Sequence, residues 1–219
     1  MELPIIAFAR QGLCLVDAVK TAYATAYERL LLLVKSGAIS DVASVDATCT
    51  TLRPEQFATQ EARNRSWTSM CSWGPTALLP VFHLLGTGYK HRRVFSKIID
   101  EKLRFDAFTK VDFECEGAVA SIKVARGAES EGDLVITGTE GYVYVPAPWW
   151  KTDYFEVRFE DSPLNKRYFY PLDGEGIRYE LVSFLRTAKR SGKCPYMPPR
   201  ISLAIVDVAA CLYDRDGEC

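Results

Sequence analysis

Few residues in this chain could support nucleophile-and-base chemistry. It holds two histidines, His83 and His91, and seven cysteines, Cys14, Cys49, Cys71, Cys115, Cys194, Cys211 and Cys219. A thiol becomes a strong nucleophile beside a base within about 3 Å. Only the two imidazoles could serve, and neither lies in a recognisable nucleophile motif. No CxxC occurs, and the Cys and His spacings match no metal site. The cysteines therefore read as free, mostly buried thiols in a reducing cytosol. His83 lies within "SWGPTALLPVFHLLGTG" (72–88). There Pro75 suits the first turn of a helix and Gly86 its end. Beside Leu79 and Leu84, His83 reads as an imidazole on an apolar helix face, not as an acid or base.

Composition narrows the function classes. Of 219 residues, 48% are hydrophobic and 25% charged, and the formal net charge is −1. That balance gives no electrostatic reason to expect nucleic acid or an anionic membrane as a partner. No apolar run approaches the roughly 20 residues of a membrane span. The opening "MELPIIAFAR" lacks the basic region and small-residue cleavage site of a signal peptide. A cytoplasmic location is expected.

The elements that must position any site follow from periodicity. "QGLCLVDAV" (11–19) reads as a buried strand. Thr25 is expected to cap a helix through Leu30–Val34 that stops at Gly37. "VASVDATCTTL" (42–52) alternates and is β-branched, which predicts a strand. Residues 53–67 read as loop with a helical turn. A helix is expected over Pro75–Leu85. From Arg92 the period changes to two, in seven short runs: "RVFSKIID", "AFTKVDFECEG", "AVASIKVA", "DLVITG", "YVYVPA", "YFEVRFE" and "KRYFYPL". Turn signals separate them, so the sheet should be mostly antiparallel. Helices over 174–192 and 200–214 close the chain. The fold class is α+β: a large, mostly antiparallel open β-sheet with helices packed on one face.

Three stretches in this order carry a family resemblance: "LVDAVKTAYATAYERLLLLVKSGAISDVASVDAT", "SWGPTALLPVFHLLGTG" and "LVITGTEGYVYVPAPWW…EGIRYELVSFLRTAKRSGK". Together they resemble the C-terminal part of the Gfo/Idh/MocA oxidoreductases, a group that includes glucose–fructose oxidoreductase and inositol dehydrogenase. The resemblance spans nearly the whole chain. It implies an NAD(P)-dependent parent acting on a sugar, polyol or related hydroxyl compound. The N-terminal Rossmann domain that the family uses for NAD(P) is missing. There is no G-x-G-x-x-G after a strand and no Glu-Lys-Pro motif. Residues 1–22 would be the remnant of that domain's end and 23–219 the sheet domain. An orphan strand without its parallel neighbours should be rearranged, exchanged or mobile.

The resemblance also assigns site residues. The family places an Asp and a His four residues apart at this helix start. Laying Gly74 on the family's glycine puts Ser72 at the Asp position and Thr76 at the His position. His83, seven residues further, is roughly 10 Å along the axis at 1.5 Å per residue, beyond reach of a proton relay. Neither Ser72 nor Thr76 can do imidazole chemistry, but Thr76 could hold a substrate hydroxyl. Lys20 and Tyr23 fall where relatives place substrate-facing groups. Trp149 and Trp150 lie in a loop near the family's cleft and could stack on a sugar. Glu175 reads as a favourable charge at a helix N-terminus. No catalytic, cofactor-binding or metal-binding residue is expected, and NAD(P) belongs to a full-length parent. The chain alone should be inactive. The alternative is a stand-alone, non-catalytic binding or dimerisation module. Several strands are apolar or aromatic on both faces, which predicts a homodimer through the sheet, with Phe155 and Tyr144 as probes of the interface.

Overall fold

The computed structural model describes residues 14–53, 55, 59, 67–190 and 194–213. Eight strands form one sheet: β1 (Val42–Thr50), β2 (His91–Asp100), β3 (Phe105–Glu114), β4 (Val119–Ala125), β5 (Leu134–Gly138), β6 (Tyr142–Val145), β7 (Tyr154–Arg158) and β8 (Lys166–Phe169). Their spatial order is β2-β3-β4-β1-β5-β6-β7-β8. All neighbours are antiparallel except β1 and β4, which pair in parallel with Ala47 opposite Ile122. All seven period-two runs are strands. Among the described residues the long helices are α1 (Thr25–Lys35), α2 (Ser69–Leu85), α3 (Ile177–Arg190) and α4 (Pro199–Cys211). None is long and apolar enough to cross a membrane.

Alternation sends one set of side chains under the helices and the other to the open face. Val45, Ala47 and Cys49 of β1, Val111 and Phe113 of β3, Ile136 of β5, Val143 of β6, and Phe155 and Val157 of β7 are all buried. α2 lies across β1, β3 and β4 and also packs against α4. Its Leu78 and Leu79 are fully buried, each contributing about 1.5–3 kcal/mol relative to exposure. α1 buries Ala26, Tyr27, Leu30 and Val34, one stripe at helical spacing.

Four expectations change. No strand covers the described part of 11–19. Residues 14–19 are irregular and enter a 3₁₀ turn at Lys20–Tyr23. Val16 and Val19 pack on the core, and the Tyr23 hydroxyl donates to the Asp17 carbonyl at 2.8 Å. Second, α1 is capped by Ala24, with Thr25 already in the first turn. Third, α2 starts at Ser69, with Pro75 and Pro80 inside it. Distant partners make the early start favourable. The Thr68 hydroxyl accepts from the Cys71 N–H (3.2 Å), and the Asp106 carboxylate accepts from the Met70 N–H (3.1 Å). Two of the orphan donors at the helix start are thereby satisfied. Finally, Phe155 is a core residue, 0% exposed, stacked on Tyr168 at 5.2 Å. It cannot report on a sheet-face interface.

The open face is aromatic and charged. Tyr142 and Tyr144 share it with Glu156 and Arg158. Glu156 accepts from Arg158 and Arg167, each at 2.6 Å. The Arg158 guanidinium lies 4.6 Å from the Tyr144 ring centroid.

Candidate functional site

A cavity of about 460 Å³ opens between residues 17–21, the first turns of α2, the Trp150-Lys151 turn, Glu175 and α4. Its size is that of a small-molecule pocket. Four of the six candidate residues line it: Lys20, Ser72, Thr76 and Trp150. Ser72 and Thr76 reach it together because positions four apart share a helix face. Tyr23 and Trp149 do not line it. Tyr23 is 4% exposed and its ring lies 5.6 Å from that of Tyr196. Burial, with Cys194 beside it, raises its phenol and keeps it protonated. Trp149 is 1% exposed; its indole N–H donates to the Thr48 carbonyl at 3.0 Å. It backs Trp150, whose ring is 6.4 Å away.

Trp150 meets Trp73 with ring centroids 4.7 Å apart, giving the cavity an aromatic wall. The Trp73 indole N–H donates to the Thr51 hydroxyl at 3.2 Å, and Thr21 donates to the Trp150 carbonyl at 3.2 Å. Both anchors limit rotation of that wall. The lining also holds an ionic group. Lys151 pairs with Glu175 at 2.7 Å and Lys20 approaches the same carboxylate at 3.9 Å. The hydrogen bond from Lys151 and the charges of Lys151 and Lys20 lower the Glu175 pKa. Glu175 precedes α3 with φ +61°, so it serves this ion group and not the first turn of the helix. Sequence analysis did not single out Trp73 and Lys151 as lining residues, and Glu175 is an ion-group member and not the helix-start charge expected of it. The one usable signal was Lys151 directly after the two tryptophans.

His83 lies outside this cavity. Its Nε2 faces the Tyr196 carbonyl at 2.9 Å and its Nδ1 the Tyr27 hydroxyl at 3.0 Å. A carbonyl only accepts, so Nε2 carries the proton and Nδ1 accepts from Tyr27. Burial, helped by the positive charges of Lys35 and Arg200 and opposed by the Tyr196 hydrogen bond, lowers its pKa to about 4. It is a neutral, doubly bonded structural imidazole. Neither of its ring partners is a cysteine. Cys14, Cys49, Cys71, Cys115 and Cys194 are free thiols, and burial raises Cys49 and Cys115. Cys211 is disulfide-bonded, which corrects the all-thiol expectation. Among the described residues no group of three His, Cys, Asp or Glu side chains could hold a metal.

The start of α2, which lines the cavity, does not fit the phosphates of a dinucleotide. Such groups sit at a helix start with free N–H donors. At the start of α2 the Met70 and Cys71 donors are taken by Asp106 and Thr68, and one of those partners is a carboxyl group.

No family model and no curated protein matches this sequence. Solved structures do. An aldose-aldose oxidoreductase from Caulobacter crescentus, in complex with glycerol, superposes with a TM-score of 0.76 at 15% identity, over 95% of this chain and 63% of that one. An inositol dehydrogenase homolog from Azotobacter vinelandii, in complex with NAD+, gives 0.75 at 10% identity over 96% and 65%. The 3-ketoreductase KijD10 from Actinomadura kijaniata, as a K102A mutant with TDP-benzene and NADP, gives 0.71 at 13% identity. The chain covers 63% of KijD10 and 94% of itself is covered. The class is thus an α+β domain with an open, mostly antiparallel sheet. More particularly, it is the fold of the C-terminal domain of Gfo/Idh/MocA-type oxidoreductases.

Proposed function

We propose that this chain is the substrate-binding and oligomerisation part of an NAD(P)-dependent oxidoreductase acting on a sugar, polyol or related hydroxyl compound. In this reading residues 1–22 are the end of a Rossmann domain and 23–219 the sheet domain. The observation that carries it is the cavity, lined together by the indoles of Trp73 and Trp150, by Ser72 and Thr76, and by the Lys20–Glu175–Lys151 ion group. Aromatic faces take the C–H side of a sugar ring and short polar groups take its hydroxyls. Nicotinamide supplies or removes a hydride when bound, and sequence outside this chain would have to hold it. The chain alone is inactive in this reading. The open face with Tyr142, Tyr144, Glu156 and Arg158 supports a homodimer through the sheet, since tyrosines and arginines suit interfaces. The five free thiols support a cytoplasmic location, which the Cys211 disulfide opposes.

Two titrations test the reading. D-Glucose or myo-inositol should quench the fluorescence of the Trp73–Trp150 pair in the native chain but not after Trp150→Ala. Calorimetry with NAD+ and NADP+ should show no binding. Micromolar dinucleotide affinity in the chain alone would overturn the domain division, and unchanged quenching in Trp150→Ala would move the sugar elsewhere.

A further inference from the structure

Arg126 directly follows β4 and is 8% exposed. Its main-chain N–H donates to Ser69 Oγ at 3.0 Å, and its Nη1 donates to Ser72 Oγ at 3.0 Å. The guanidinium lies 5.0 Å from the Trp67 ring centroid. Its Nε is buried without a hydrogen-bond partner among the described residues. Burial weakens its hold on its proton, and repulsion from Arg53 outweighs the attraction of Glu55. A buried cation with a spare donor is costly unless an anion completes its surroundings.

The contact with Ser72 sets the direction of a hydroxyl. Nη1 occupies one lone pair of Ser72 Oγ. The hydroxyl hydrogen cannot point at a donor, so it is turned away from the guanidinium. Ser72 lines the cavity, so an acceptor bound there is placed to take that hydrogen. The ionised groups of the lining cancel, with Asp17 and Glu175 against Lys20 and Lys151. The charge behind Ser72 therefore tips the site positive.

We propose that Arg126, acting through Ser72, makes this cavity select a sugar that carries an oxyanion, a carboxylate or a phosphate, over the neutral sugar. The inference rests on the sugar reading of the cavity. Arg126 is a positioning residue: it reaches the ligand only through Ser72, whose hydroxyl makes a charge-assisted bond to the oxyanion.

Tryptophan-fluorescence titrations of the 219-residue chain with D-glucose, D-glucuronate and D-glucose 6-phosphate test this. At least one anionic sugar should bind about tenfold more tightly than glucose, and the tighter of the two identifies the oxyanion. Arg126→Met should bring that ratio to within about twofold while glucose affinity changes little, because only the charge behind the hydroxyl is lost. Arg126→Lys should retain part of the preference. Ser72→Ala removes the hydroxyl itself; it should weaken glucose as well but the anion more, bringing the ratio toward one, which keeps the test available if Arg126→Met does not fold. Glucose binding with no anionic preference, or a preference that survives either Arg126→Met in a folded chain or Ser72→Ala, would overturn the inference and leave the sugar reading standing. Quenching by none of the three ligands would overturn both.

Discussion

His83→Gln should flatten the acid side of the stability curve. In the folded chain the imidazole is held neutral between Tyr27 and Tyr196, with its pKa lowered from 6.5 to about 4. Below pH 6.5 the unfolded chain takes up a proton that the folded chain refuses. Stability is therefore fully present above the unfolded pKa and is lost as pH falls toward the folded one. A gap of about 2.5 pH units corresponds to about 3 kcal/mol, of which about 2 kcal/mol disappears between pH 7 and pH 5. Glutamine keeps a donor for the Tyr196 carbonyl and an acceptor for the Tyr27 hydroxyl, so its cost at pH 7 should be about 1 kcal/mol. Urea unfolding of both proteins at pH 7, 6 and 5, followed by circular dichroism, isolates the effect, because every other titrating group cancels in the difference. The native protein should converge on, then fall below, the variant as the pH drops. Parallel curves, with the gap constant within about 0.5 kcal/mol, would place the imidazole in solvent and refute the buried-neutral assignment.

Two further outcomes follow from the fold. Gly138→Ala should destabilise by about 2–3 kcal/mol, since a Cβ there would stand 2.2 Å from the Ile39 carbonyl oxygen; a thermal midpoint unchanged from native would show that β5 does not press on residue 39. Tyr144→Glu should turn a dimer into a monomer with the circular dichroism spectrum unchanged, because a stable interface of at least about 1,000 Å² over the open face must cover this ring. Light scattering over a dilution series decides it, and a native chain that is already a 24.6 kDa monomer at high micromolar concentration would remove the sheet-face dimer.

The sequence by itself determined the elements whose patterns are local. Seven alternating runs became β2–β8, and the assignment of Val111 and Phe113 to one face and Lys110 and Asp112 to the other held, because a period of two is written in the residue types. Ser72 and Thr76 became candidates through the family resemblance, and they do line one cavity. Tertiary structure decided what depends on distant partners. Trp149 and Trp150 are adjacent and identical in type, yet one binds the Thr48 carbonyl in the core and the other forms the cavity wall. α2 starts at Ser69 because Asp106, 36 positions away, accepts from the Met70 N–H. Arg126 stands behind Ser72 across 54 residues of chain. Such contacts carry no periodic signature. Hydrophobic burial brings the elements together without regard to separation along the chain, and only then do buried donors, acceptors and charges find the partners that decide their roles.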